Sequence, residues 1–280
     1  MKILNNEFIS EVLSVPSYYK QETLLANFIE EWASKHEEIE CLKDAKGNLR
    51  LKKGELSEGE FYPLVIAHLD TVQARQLKYI RNNERLPIIK EEKDGKTIFR
   101  CDGLGPGADD KCGVAIILSL FDKVDKLKAC FFVEEEIGCV GSRNMPEEWI
   151  NDIGYCISFD SPEFNRAAWQ CFGVKLFDGK FYNEHLKPVC DKHGLTRFLA
   201  EPYTDVMIVR WLTEKACVVI GTGYYNEHTA NEYCVAEDME KSAALGLELI
   251  ETLGTASYEI PLSSEKDEED NLFLKSLGNE

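Results

Sequence analysis

Ten cysteines occur with no Cys-x-x-Cys pair among them, so the ligand spacing of a zinc ribbon is missing. No apolar run approaches the length of a membrane-spanning helix. The opening MKILNNEFISEVLS interrupts its apolar residues with Asn5, Asn6, Glu7 and Glu11, unlike the core of a secretion signal. Basic residues are in deficit, 32 Lys and Arg against 50 Asp and Glu, for a net charge of -18. A chain of that sign lacks the means to displace counterions from nucleic acid or to dock on an anionic membrane, so neither partner is expected. Linkers rich in Gly, Pro or Ser and internal repeats are also missing. These absences predict a cytoplasmic protein with reduced cysteines, Cys130, Cys156 and Cys217 acting as small buried hydrophobes in apolar runs. They also predict one domain over residues 1–262, followed by a weakly structured acidic tail over 263–280 that carries the run EKDEED. Oligomeric state is left open.

What is present is a core. Hydrophobic residues make up 44% of the chain, enough for one large domain. Phe8, Ile9, Val12 and Leu13 form a helical stripe that stops at Pro16, and Leu24, Leu25, Phe28, Ile29 and Trp32 form a second. The Gly47-Asn48 turn leads into a short strand. PLVIA (63–67), ACFFV (129–133), YCISF (155–159) and ACVVI (216–220) read as strands buried on both faces. Helical patterns lie between and after them, at 113–121, 182–190, 205–212 and 237–253. Alternation of this kind predicts an α/β fold: a mixed, largely parallel twisted sheet with helices on both faces.

The polar residues then fall at the strand ends. His68 and Asp70 follow the first buried strand, Glu134, Glu135 and Glu136 the second, and Asp160 the third. His228 comes shortly after the fourth. Ligands in open α/β sheets bind beyond the carboxyl ends of the strands. Two imidazoles with several carboxylates form a mixed N/O donor set that suits zinc, and also cobalt or manganese. His36, His185 and His193 lie in polar surroundings and read as solvent-exposed. In GLGPGADDKCG (103–113), one aspartate either bridges two cations or simply caps the helix that follows. In VEEEIGCVGS, three adjacent acids are either an exposed charge run or a cluster needing a cation.

Taken in order, AHLDTV, GADDK, EEEIGCVGS, SFDSPE and NEHTANEY resemble the co-catalytic zinc exopeptidases. That group holds peptidase T, glutamate carboxypeptidases, aminoacylases and the single-domain aminopeptidases, with a phosphorylase/hydrolase-like catalytic domain. The resemblance implies two zinc ions. His68 and Asp160 would hold the first, Glu136 and His228 the second, and Asp109 would bridge both across a cis Asp109-Asp110 peptide. Of the catalytic pair it implies, Glu135 would be the general base and Asp70 would orient His68. The glutamates are aligned by the glycines after them, which leaves Glu134 outside the site. Only 67 residues separate Asp160 from His228, so the lid domain of the larger members is expected to be missing. Asp205, in PYTD, resembles a further family position. The activity implied is hydrolysis of amide bonds in small peptides. Aminopeptidase is preferred over carboxypeptidase or N-acyl amino acid deacylase, with a silent binding protein or a one-zinc acyltransferase as remoter alternatives. Side-chain preference is not legible; Tyr224 and Tyr225 are as consistent with packing as with lining a site.

Overall fold

The computed structural model describes residues 2–262 and 268–277. Two N-terminal helices come first. In α1 (Asn6–Ser14), the Asn5 side chain accepts from the Glu7 amide at 2.9 Å, and Ile9, Val12 and Leu13 are buried at helical spacing. Helix α2 (Thr23–Ser34) buries Leu25, Phe28 and Ile29 in the same way. Strands β1 (Ile39–Lys43), β2 (Leu49–Lys53) and β3 (Tyr62–His68) follow, then α3 (Leu77–Asn82) and the hairpin β4 (Ile89–Lys93) and β5 (Lys96–Arg100). Helix α4 (Ala108–Leu120) is buried along its whole length. Beyond it come β6 (Leu127–Phe132), α5 (Val140–Arg143), β7 (Ile153–Ser161), β8 (Ala167–Cys171) and β9 (Val174–Lys175). A short turn of helix, α6 (Gly179–Phe181), runs through a π turn into α7 (Lys187–His193). The chain continues through β10 (Phe198–Glu201), α8 (Asp205–Thr213), β11 (Cys217–Gly221), β12 (Tyr224–Tyr225), β13 (Tyr233–Val235), α9 (Ala236–Leu253) and α10 (Glu268–Ser276).

The main sheet runs β1-β2-β6-β3-β7-β11-β8-β10, with β9 beside β8. Its centre, β6-β3-β7-β11, is parallel throughout, and β2 and β8 join that centre antiparallel on either side. Helices cover both faces, so β3 and β6 are buried at every position, His68 and Lys128 included, and 63–67 and 129–133 read in the sequence as unbroken apolar runs. The four expected strands are β3, β6, β7 and β11, and the four later helical patterns lie in α4, α7 with its preceding π turn, α8 and α9.

A second sheet, β12-β13-β5-β4, has no counterpart in the sequence reading. Its hairpin turns at Asp94-Gly95, both at positive φ, and carries four charged residues in β4, which hid its pattern. Between Asp160 and His228 the chain adds β8, β9, β10 and β11 to the main sheet and β12 to the second, and forms no separate domain. Strands here lie at 167–171, 174–175 and 198–201, and the helical pattern at 182–190 falls in the π turn and α7.

Two further expectations are corrected. Part of the acidic tail forms a helix, α10, which buries Leu274 and sets the Phe273 ring 5.8 Å from that of Tyr182; residues 263–267 and 278–280 of that tail lie outside the described residues. His36, His185 and His193 are half-buried. His36 stacks on Trp32, His185 packs against Phe181 and Tyr258, and His193 bonds Glu248 at 2.7 Å. All ten cysteines are free and only Cys41 is not buried. No helix among the described residues is long and apolar enough to cross a membrane.

Candidate metal centre

The carboxyl ends of β3, β6 and β7 and the loop after β12 open on one cleft of about 320 Å³. His68, Asp109, Glu135, Glu136, Asp160 and His228 all line it. The last residue of β3, His68, turns Nε2 to Asp109 Oδ1 at 3.1 Å and Asp160 Oδ1 at 3.6 Å. Nε2 of His228 lies 3.1 Å from Asp109 Oδ2 and 2.9 Å from Glu136 Oε1. Asp109 thus offers one oxygen to each imidazole. The donors form two triads, His68-Asp109-Asp160 and Asp109-Glu136-His228, with the ligand atoms of each within 4.8 Å of one another.

Their placement has local causes. The Asp109-Asp110 peptide is cis and both residues leave helical geometry at the head of α4. Asp110 is turned inward, accepting from the His68 and Gly113 amides at 3.2 and 3.1 Å. Of the two aspartates, Asp109 faces the cleft and Asp110 ties β3 to α4. Gly107, at φ +69°, passes so close to Thr71 that an added Cβ would meet its methyl at 2.6 Å. Lys111, fully buried, donates to the Pro106 carbonyl at 2.6 Å, and burial lowers its pKa to about 7.

Asp70 acts on both sides of the centre. Its Oδ1 is 3.5 Å from His68 Nδ1, and its carboxylate accepts from the Glu135 and Glu136 amides at 2.9 and 3.0 Å. That clamp aims the two glutamates into the cleft, whereas Glu134 points away and pairs with Lys46 at 2.9 Å. Behind them, Asn48 of the DAKGN turn accepts from the Val133 amide at 3.1 Å and donates to the Gly141 carbonyl at 3.0 Å. Asp205 accepts from Ser142 at 2.5 Å, joining α5 to α8 under the same loop. Tyr224 lines the cleft; Tyr225 stacks on Tyr233 and donates to Asp238 at 2.8 Å instead.

Three contributors were not read from the sequence. Glu232 is buried and accepts from the Gly107 and Asp109 amides at 2.6 and 3.3 Å, holding the glycine loop. Its only sequence signal is a carboxylate inside NEHTANEY. Thr204 donates to Asp160 Oδ2 at 2.7 Å. Glu22, far upstream, accepts from the Glu134 amide at 3.2 Å.

Electrostatically the cluster calls for positive charge. Burial pushes the Glu135 carboxyl well up, and raises Glu136 and Asp160 against the opposing pull of His228 and His68. Burial opposes ionisation of Asp109 too, but hydrogen bonds from His228 and His68 hold its carboxyl below the usual range. The bonds from Asp109 and Glu136 raise His228 to about 11. A proton on each imidazole and a cation therefore compete for the same carboxylates. One carboxylate with an oxygen toward each triad, two imidazoles and two further carboxylates form a mixed N/O donor set that fits divalent cations.

Fold and site together define a class, an α/β protein with an acid-imidazole centre at the carboxyl edge of its parallel strands. Within that class, residues 64–252 match the profile of peptidase family M20/M25/M40, and the chain belongs to that family. That membership supports a metal-dependent peptide hydrolase. Among solved structures the chain is similar to aminopeptidase PepT from Bacillus cereus, with a TM-score of 0.71 and 18% identity over 90% of this chain and 99% of that one. A tripeptidase from Staphylococcus aureus gives 0.68 and 14% over 87% and 96%. An aminopeptidase from Desulfurococcus kamchatkensis gives 0.63 and 14% over 88% and 94%. At such identities the likeness is one of fold. No curated protein sequence matches the chain.

Proposed function

We propose that the protein is an aminopeptidase acting on small peptides with two divalent cations, zinc by preference, in the cleft. The observation that carries this reading is the split of Asp109, whose two oxygens face different imidazoles at 3.1 Å each. His68, Asp109 and Asp160 would hold one cation and Asp109, Glu136 and His228 the other. Bound there, the cations would polarise the scissile carbonyl and make water a better nucleophile near neutral pH.

The chain's own residues supply the rest. Glu135 lines the cleft beside both triads, and burial favours its protonated form. That preference makes the ionised carboxylate a stronger base, and cations bound beside it would favour the ionised form, which takes a proton from attacking water and delivers it to the leaving amine. Asp70 holds the Glu135 amide and backs His68, keeping base and ligand in register. Domain content fits a bare catalytic unit over residues 1–262. The aminopeptidase and tripeptidase names of the similar structures favour cleavage of short peptides at the amino end.

The test is metal analysis of the purified protein, followed by turnover of a dipeptide panel. Glu135→Ala should keep its metal and lose turnover by roughly 10²- to 10⁴-fold, the usual worth of a positioned general base. His68→Ala should lose metal as well. Full turnover by the Glu135 variant would remove that residue from its role.

A further inference from the structure

The charge layout of the cleft bears on which end of a peptide it accepts, an inference that rests on the peptide-hydrolase reading. Six carboxylates line the cleft. Asp109, Glu136 and Asp160 belong to the triads, and Glu135 stands beside them as the base. Glu201 is engaged at both oxygens: Arg166 Nε and Nη2 donate to them at 2.6 and 2.7 Å, and the Ser161 hydroxyl adds a bond of 2.8 Å. That leaves Glu227, half-buried, which makes no hydrogen bond or ion pair with any described residue.

Its position is fixed by its neighbour, since Glu227 directly precedes His228 of the second triad. In a peptide cut at its first bond, the α-amine stands two bonds from the scissile carbonyl carbon. A carbonyl seated at the junction of the triads therefore brings an unblocked ammonium group to the wall beside them. A free C-terminal carboxylate would instead need an uncommitted cation there. Arg166 is the one Arg or Lys among the lining residues, and Glu201 already engages it with two bonds.

We propose that Glu227 receives the α-ammonium group of an unblocked peptide and thereby directs the cleft to the amino end of its substrate. A charge-assisted hydrogen bond of this kind is stronger than a neutral one and vanishes when the amine is acylated.

The experiment uses the metal-loaded full chain with an aminoacyl anilide, its N-acetylated form and an N-blocked dipeptide with a free carboxylate. Wild type should prefer the free amine. Glu227→Gln should raise KM for that substrate roughly 10- to 100-fold, with a much smaller change in kcat, and shrink the preference over the acetylated form equally. Glu227→Asp should recover part of the loss. A Glu227→Gln variant with the wild-type preference overturns the proposal, as does one that loses metal, which would place Glu227 in the metal shell. A wild type that favours the blocked substrates overturns it while the hydrolase reading stands. Inactivity of the wild type on all three removes both.

Discussion

Each residue of the centre is placed by a partner that can be removed separately. The Asp70 carboxylate accepts from two amides and lies 3.5 Å from His68 Nδ1, which itself bonds the Asp70 main-chain carbonyl at 3.1 Å, so Asp70→Asn removes the negative charge and one amide acceptor while that carbonyl stays. Changes to groups that orient metal ligands cost about 10- to 100-fold in affinity or activity. The expected outcome is metal affinity reduced on that scale, read by competition with a chelating dye, with thermal unfolding still cooperative. Unchanged affinity would mean that the main-chain carbonyl of residue 70 is enough to orient His68. His68, Asp70 and Glu136 were legible because each directly follows an apolar strand. Glu232 was not, because nothing local shows that its carboxylate reaches back 125 residues to the Gly107 amide.

Between residues and molecule stand the loops that present the donors. Helix α4 has two non-helical aspartates in its first turn, so the glycine loop and that turn carry amides that no helix bond satisfies. Glu232 satisfies those of Gly107 and Asp109 from another element. Glu232→Ala leaves two buried donors unpaired, and a buried orphan costs roughly 1–3 kcal/mol. Urea unfolding of the metal-free protein should show a loss of that order, with metal affinity falling in parallel. A stable variant with slack metal binding would confine Glu232 to aligning Asp109. The glutamate loop is held from both ends, by Asp70 at its amides and by Asn48 at Val133 and Gly141. The DAKGN turn was recognisable in the sequence, but its attachment to that loop was not.

Across the whole molecule the concentration of buried acids sets how stability responds to pH. Burial raises Glu22, Asp205 and Glu232 each to about 7. Unfolding returns these groups to ordinary carboxylate values, so between about pH 4.5 and 7 the folded chain holds more protons than the unfolded one. Stability then falls as pH rises through that window. The denaturation midpoint of the metal-free protein should accordingly drop from about pH 5 to about pH 7; a rise would contradict the assignments. Divalent cations held by the folded chain would oppose this loss, by about 2.7 kcal/mol at a hundred times the dissociation constant. Zinc should raise the melting temperature and a chelator should reverse it. A melting temperature indifferent to zinc would count against the centre itself.

By itself the sequence determined the core. Unbroken apolar runs at 63–67, 129–133, 155–159 and 216–220 have one economical use, as parallel strands covered on both faces, and the polar residues at their ends follow from that placement. Those signals are local and survive in one dimension. The tertiary structure alone decided the rest: β12, β13, β4 and β5 forming a sheet, the two oxygens of Asp109 divided between His68 and His228, and Arg166 committed to Glu201. Each depends on which side chains from distant segments meet in a low-dielectric cleft. Such pairing is fixed by packing geometry, which residue order does not record.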